Sequence, residues 1–162
     1  MYLLFIILIL AVCTDLKTFR IPNQIILTGY FTGFFYQLFH QLYDYLMYSQ
    51  QKTETIALLG RVFWYPLAAF LIMLLLLPLF RFKVIGGGDV KLFSVCAMFT
   101  GFTSAISIIL YALFTGAAIS IFILAFRQII KPRGKNHLIH FSIPILIGAA
   151  FHFMLGNEIW MC

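Results

Sequence analysis

Residues 90–126 read VKLFSVCAMFTGFTSAISIILYALFTGAAISIFILAF, a run of 37 residues whose only charge is Lys91, next to its start. As one straight helix the run would extend about 56 Å, nearly twice the ~30 Å hydrocarbon core of a bilayer. It has to break, and Thr100-Gly101-Phe102-Thr103 is the place where a tight turn fits. Unbroken apolar runs in lipid argue for helices, because an open strand would leave its backbone polar groups unsatisfied there. The reading is therefore a helix over 88–100, a turn, and a second helix over 103–126.

Working outward, four more apolar runs predict helices at about 1–16, 23–43, 62–80 and 140–158, giving six in all. The expectation is an all-α, polytopic membrane helix bundle of about six transmembrane helices. It forms a single transmembrane domain over 1–162, with both termini on one side. Between the helices fall a polar loop at 14–22, a longer loop at 44–61, a glycine-rich connection at 82–88 and a basic stretch at 127–137. The first twelve residues have no basic segment before them and no small-residue cleavage site after them, so they read as a retained span rather than a signal peptide.

Composition agrees with the bundle. At 63% hydrophobic residues, 10% charged residues and a mean hydropathy of +1.02, the chain is too apolar for a soluble domain. The net charge of +6 is spread among apolar runs rather than gathered on one face, which argues against nucleic acid as a partner and for topology as its meaning. With the amino terminus outside, Lys17, Arg20, Arg81, Lys83, Lys91, Arg127, Lys131, Arg133 and Lys135 lie inside, and only Lys52 and Arg61 outside. Tyr43, Tyr45, Tyr48, Trp64, Tyr65 and Trp160 then collect near the outer interface. A re-entrant hairpin at 88–100 would reverse the later spans and place 127–135 outside, against the positive-inside rule. Cys13, Cys96 and Cys162 have neither a CxxC pair nor histidines at ligand spacing, so they read as buried free thiols. His137 and His140, spaced i, i+3, have no acidic or thiolate ligand beside them and read as interfacial histidines; no metal and no cofactor is expected.

Of five acidic residues, Asp15 and Asp89 fall at the inner ends of predicted helices, whereas Asp44 and Glu54 fall in the long outer loop. Ionisable groups at a bilayer boundary are costly and normally face a bundle cavity. Two carboxylates in one leaflet can form a pair that resists double ionisation and holds one proton between them. Such a pair performs acid and base work together: the ionised member activates a water against a scissile carbonyl, and the protonated member donates to the oxyanion and later to the leaving amine.

Gly86, Gly87 and Gly88 before Asp89 offer backbone without Cβ atoms, able to adopt positive φ and to let an extended peptide pass close to the acid. The glycines equally fit a flexible link with Asp89 capping the next helix. Asp15 equally fits an interfacial charge paired with Lys17 or Arg20. Ile21-Pro22-Asn23 reads as a helix start that would hold the Asp15 loop beneath the second span.

Taken together, Asp15-Leu16-Lys17-Thr18-Phe19-Arg20-Ile21-Pro22-Asn23 and Gly86-Gly87-Gly88-Asp89-Val90-Lys91-Leu92 resemble the type IV prepilin peptidase family, the bacterial branch of the GxGD membrane aspartic peptidases. Helix number and the late proline of Phe141-Ser142-Ile143-Pro144 also look like that family. The resemblance implies removal of the leader peptide from prepilin or pseudopilin precursors at the cytoplasmic face of the bacterial inner membrane. It implies Asp15 and Asp89 as catalytic residues, and Gly86, Gly87, Gly88 and Lys91 in the active-site loop or substrate-binding region. Longer members carry an extra cytoplasmic region with paired cysteines and a methylating activity that has no counterpart here. The chain is therefore similar to the small, peptidase-only branch associated with tight-adherence (Flp-type) pili. A different class remains compatible with the same residues, a noncatalytic membrane subunit or small transporter using Asp15 and Asp89 as an ion or proton relay.

Overall fold

A computed structural model describes residues 2–18, 20–48, 54–129 and 141–159. Over them the protein is a bundle of six helices: α1 (Tyr2–Thr18), α2 (Asn23–Tyr48), α3 (Glu54–Arg81), α4 (Gly87–Thr100), α5 (Phe102–Ile129) and α6 (Ser142–Ile159). The break expected in the long apolar run is a single residue, Gly101, whose φ of 83° lies in the region that favours glycine. Its N–H closes α4 on the Ala97 carbonyl, and its own carbonyl accepts from Ala105 to open α5.

Several helices are longer than their apolar runs. The loop expected at 44–61 is largely helical, because α2 continues to Tyr48 and α3 already begins at Glu54. The loop expected at 14–22 shrinks as α1 runs on to Thr18, which keeps Asp15 in the last turn of the helix, at the inner end where the span at about 1–16 put it. There Thr14 Oγ1 donates to the Leu10 carbonyl at 3.0 Å and Thr18 Oγ1 to that of Thr14 at 2.8 Å. A hydroxyl satisfied on its own helix lets polar residues prolong it. The histidines 137 and 140 and most of the basic stretch lie outside the described residues.

Two helices, Val62–Arg81 and Phe102–Ala125, are long and apolar enough to cross a membrane by length and composition. The bundle's exterior matches: Leu74, Leu75, Phe114, Ile121 and Phe122 all point outward. A surface of that kind suits lipid, since water would leave it an unfavourable apolar patch. Cys13 is exposed on that surface, contrary to the expectation of burial, because it falls on the outward side of α1; Cys96 is buried as expected.

Helix α4 is the centre of the core, with Leu92, Phe93, Val95, Cys96, Ala97 and Phe99 almost completely enclosed. It can sit there because α2 presents Gly29 and Gly33, four residues apart, as a flat strip. A Cβ on Gly29 would lie 2.8 Å from Val95, and one on Gly33 2.9 Å from both Met98 and Phe99. Small residues at this spacing let helices in lipid approach until their backbones nearly touch. Tyr30 hydrogen-bonds Ser94, and the Gln37 amide donates to the Phe99 carbonyl, so the seam is polar as well as close. Helices α5 and α6 use the same device at Gly148, where a Cβ would stand 2.7 Å from the Ala112 backbone nitrogen.

Candidate active site

The carboxyl-terminal ends of α1 and α3 and the amino-terminal ends of α2, α4 and α6 meet at one end of the bundle. Asp15 occupies the last turn of α1 and is buried, at 9% exposure, an unusual position for a carboxylate without a partner. Its Oδ2 accepts a hydrogen bond of 2.6 Å from Ser142, the first residue of α6, which is itself fully enclosed. Asp89 stands in the first turn of α4, half-buried. Its carboxylate accepts a hydrogen bond from the backbone N–H of Gly86, the residue that caps the helix. The two carboxylates are close enough for their charges to interact.

Asp89 is therefore not the cap of α4. Gly86 is, with extended φ and ψ of −69° and 148°, and Asp89 reaches back to it from the third helical position, as the acid of a capping box does. Nor do the three glycines use positive φ, which among the described glycines belongs to Gly101 alone. What they provide is room. A Cβ on Gly86 would lie 2.9 Å from Asp89 Oδ2, one on Gly87 3.1 Å from the Phe80 ring, and one on Gly88 3.4 Å from Ile21.

Through Ile21 the two aspartate-bearing segments touch, and a polar contact joins them again, since Lys91 Nζ donates to Asn23 Oδ1 at 3.0 Å. Lys91 thus ties the start of α4 to the start of α2. The Pro22 carbonyl accepts from Ile25 as α2 opens, so the helix start read from Ile21-Pro22-Asn23 is present. The connection out of α3 closes as a Schellman motif: Val84 N–H donates to the Leu79 carbonyl and Lys83 N–H to that of Phe80. Lys83 takes the left-handed position, at φ 58°, where glycine is the common choice.

The sequence reading did not single out Ser142, Phe80 or Asn23 as site residues. For Ser142 a signal existed, a small hydroxyl residue at the inner end of the last span, but its acceptor lies 127 positions away and no local pattern joins them. At the opposite end of the bundle a cavity of about 380 Å³ is lined by residues including Gln37, Gln41, Tyr65, Ser104 and His152. It lies about 16 Å along α4 from Asp89 and holds neither aspartate.

A helical bundle with an apolar exterior and two acidic side chains, Asp15 and Asp89, gathered beside a glycine turn defines a class, that of helical membrane proteins with ionisable groups at one end of the bundle. The comparison with known families is specific within it: residues 2–121 match the model of the type IV leader peptidase family. The chain belongs to that family of membrane-embedded peptidases. The match contains both aspartates and the glycine turn, and ends before α6. No curated protein and no solved structure matches the chain.

Proposed function

We propose that this protein is an aspartic endopeptidase that removes the leader peptide from prepilin or pseudopilin precursors, with Asp15 and Asp89 as its catalytic pair. What supports the reading is the placement of both aspartates, from helices whose acids lie more than 70 residues apart in sequence, near enough for their charges to interact at the glycine turn of a leader-peptidase chain. One shared proton on such a pair supplies the chemistry. The ionised carboxylate takes a proton from water as its oxygen attacks the scissile carbonyl. The protonated one donates to the developing oxyanion and, on collapse, a proton passes to the leaving amine. The mechanism draws on no cofactor.

In this reading residues 1–162 form one transmembrane peptidase domain of six crossings in the bacterial inner membrane, with the aspartate end toward the cytoplasm. Lys17, Arg20, Arg81, Lys83 and Lys91 fall at that end, as the positive-inside rule requires of a cytoplasmic face. The glycine turn, which carries no side chains of its own, would let the extended backbone of the leader junction pass beside Asp89. The resemblance to the small peptidase-only branch supports cleavage without methyl transfer.

The test is co-expression with the prepilins of the same organism, followed by mass spectrometry of the pilin. The expected result is a product shortened by the basic leader, with an unmodified amino terminus. Precursors that all remain full length while the protein accumulates in the membrane would overturn the proposal in favour of an ion or proton relay.

A further inference from the structure

A carboxyl group turns about a broad, roughly two-fold torsion, so burying an aspartate does not by itself aim its oxygens. Asp15 has a partner that does. Ser142 Oγ donates to Asp15 Oδ2 at 2.6 Å, the short distance of a hydroxyl donating to a charged acceptor. A serine at the start of a helix would ordinarily turn its hydroxyl toward the free backbone N–H groups of its own first turn. Here Ser142 stands one position past the cap, since Ile145 N–H makes the first backbone bond of α6 to the Phe141 carbonyl, and the hydroxyl crosses to α1. The crossing is held in place from both sides. Phe5 and Phe153 pack α1 against α6 with ring centroids 5.4 Å apart, and the close approach at Gly148 seats α6 on α5.

We propose that Ser142 is a positioning residue of the peptidase, fixing the Asp15 carboxylate in the orientation that faces Asp89. The inference rests on the assignment of Asp15 to the catalytic pair and extends the working site to α6, beyond the matched family region. In this reading Ser142 acts on the substrate only through Asp15. A single hydrogen bond to a charged group governs roughly a ten- to hundredfold difference in rate when it sets catalytic geometry.

The experiment uses the full chain in membranes and a prepilin that the wild type cleaves, comparing Ser142→Ala with Ile143→Ala, which alters the same turn without touching the hydroxyl. For Ser142→Ala the expected result is a kcat per folded enzyme lower by roughly ten- to hundredfold, with KM within about twofold; losing a bond to a buried carboxylate lowers the unfolding temperature but leaves the enzyme folded at the assay temperature. Ile143→Ala should keep kcat within about twofold. The inference is overturned if Ser142→Ala keeps wild-type kcat, or if its loss is matched by lost folded protein or by the Ile143→Ala variant. Failure of the wild type itself to cleave any prepilin would instead remove the peptidase assignment on which the inference stands.

Discussion

The two aspartates reach the same end of the bundle by opposite means. Asp89 is held within its own turn: its carboxylate returns three residues to the Gly86 N–H, and the residues that make room for it are its immediate predecessors. Asp15 is held from across the molecule, by a hydroxyl 127 positions later on a helix seated against α5 at Gly148 and against α1 through Phe5 and Phe153. The first arrangement needs a short segment and tolerates change elsewhere. The second depends on the whole bundle being correctly closed.

That contrast is open to attack from either side. The largest effect is expected from Gly148→Leu, whose side chain would have to enter the α5 backbone, 2.7 Å from Ala112 nitrogen. With backbone rather than a flexible side chain in the way, the cost should reach about 3 kcal/mol. Folded enzyme should be largely lost, measured as membrane-inserted, detergent-stable protein. Next is Gly86→Val, which leaves packing between helices intact but sets a Cβ 2.9 Å from Asp89 Oδ2. Displacing a reacting group by a fraction of its contact distance should lower cleavage by about a hundredfold at a normal unfolding temperature. Loss of stability without that kinetic defect would mean that the glycine serves the fold alone.

Smaller changes should separate the anchors from the chemistry. Lys91→Met removes the contact to Asn23 at an exposed position, and cleavage should fall by no more than about threefold, because exposed polar links contribute little. A hundredfold loss would give Lys91 a direct role toward substrate. Lys83→Gly relieves a left-handed residue in the turn after α3, and should raise stability by about 1 kcal/mol while leaving kcat unaltered. Equilibrium unfolding in detergent reads that difference.

The same contrast explains what the sequence made legible. The number and order of helices follow from apolar runs whose length is fixed by the bilayer, and the break at Gly101 follows from a run too long to cross once. The Asp89 turn was readable because its acid and its glycines are adjacent, although their purpose proved to be close approach instead of positive φ. Helix ends were not readable where polar residues continue the helix, as in 44–48 and at Glu54, since hydropathy changes there and hydrogen bonding does not. The seam between α2 and α4 carried a visible sign in the spacing of Gly29 and Gly33 that only the structure connected to a partner helix. Ser142 carried none beyond its position, because no periodicity links residues so far apart.

The central claim is that both carboxylates belong to one catalytic centre. Its most direct measurement is leader cleavage by Asp15→Asn and Asp89→Asn separately, with membrane levels matched to the wild type. Each change keeps the side chain's size and removes its acid–base function. The account predicts that both variants leave the precursor at full length. Cleavage persisting in either variant would take that aspartate out of the mechanism and contradict the pair.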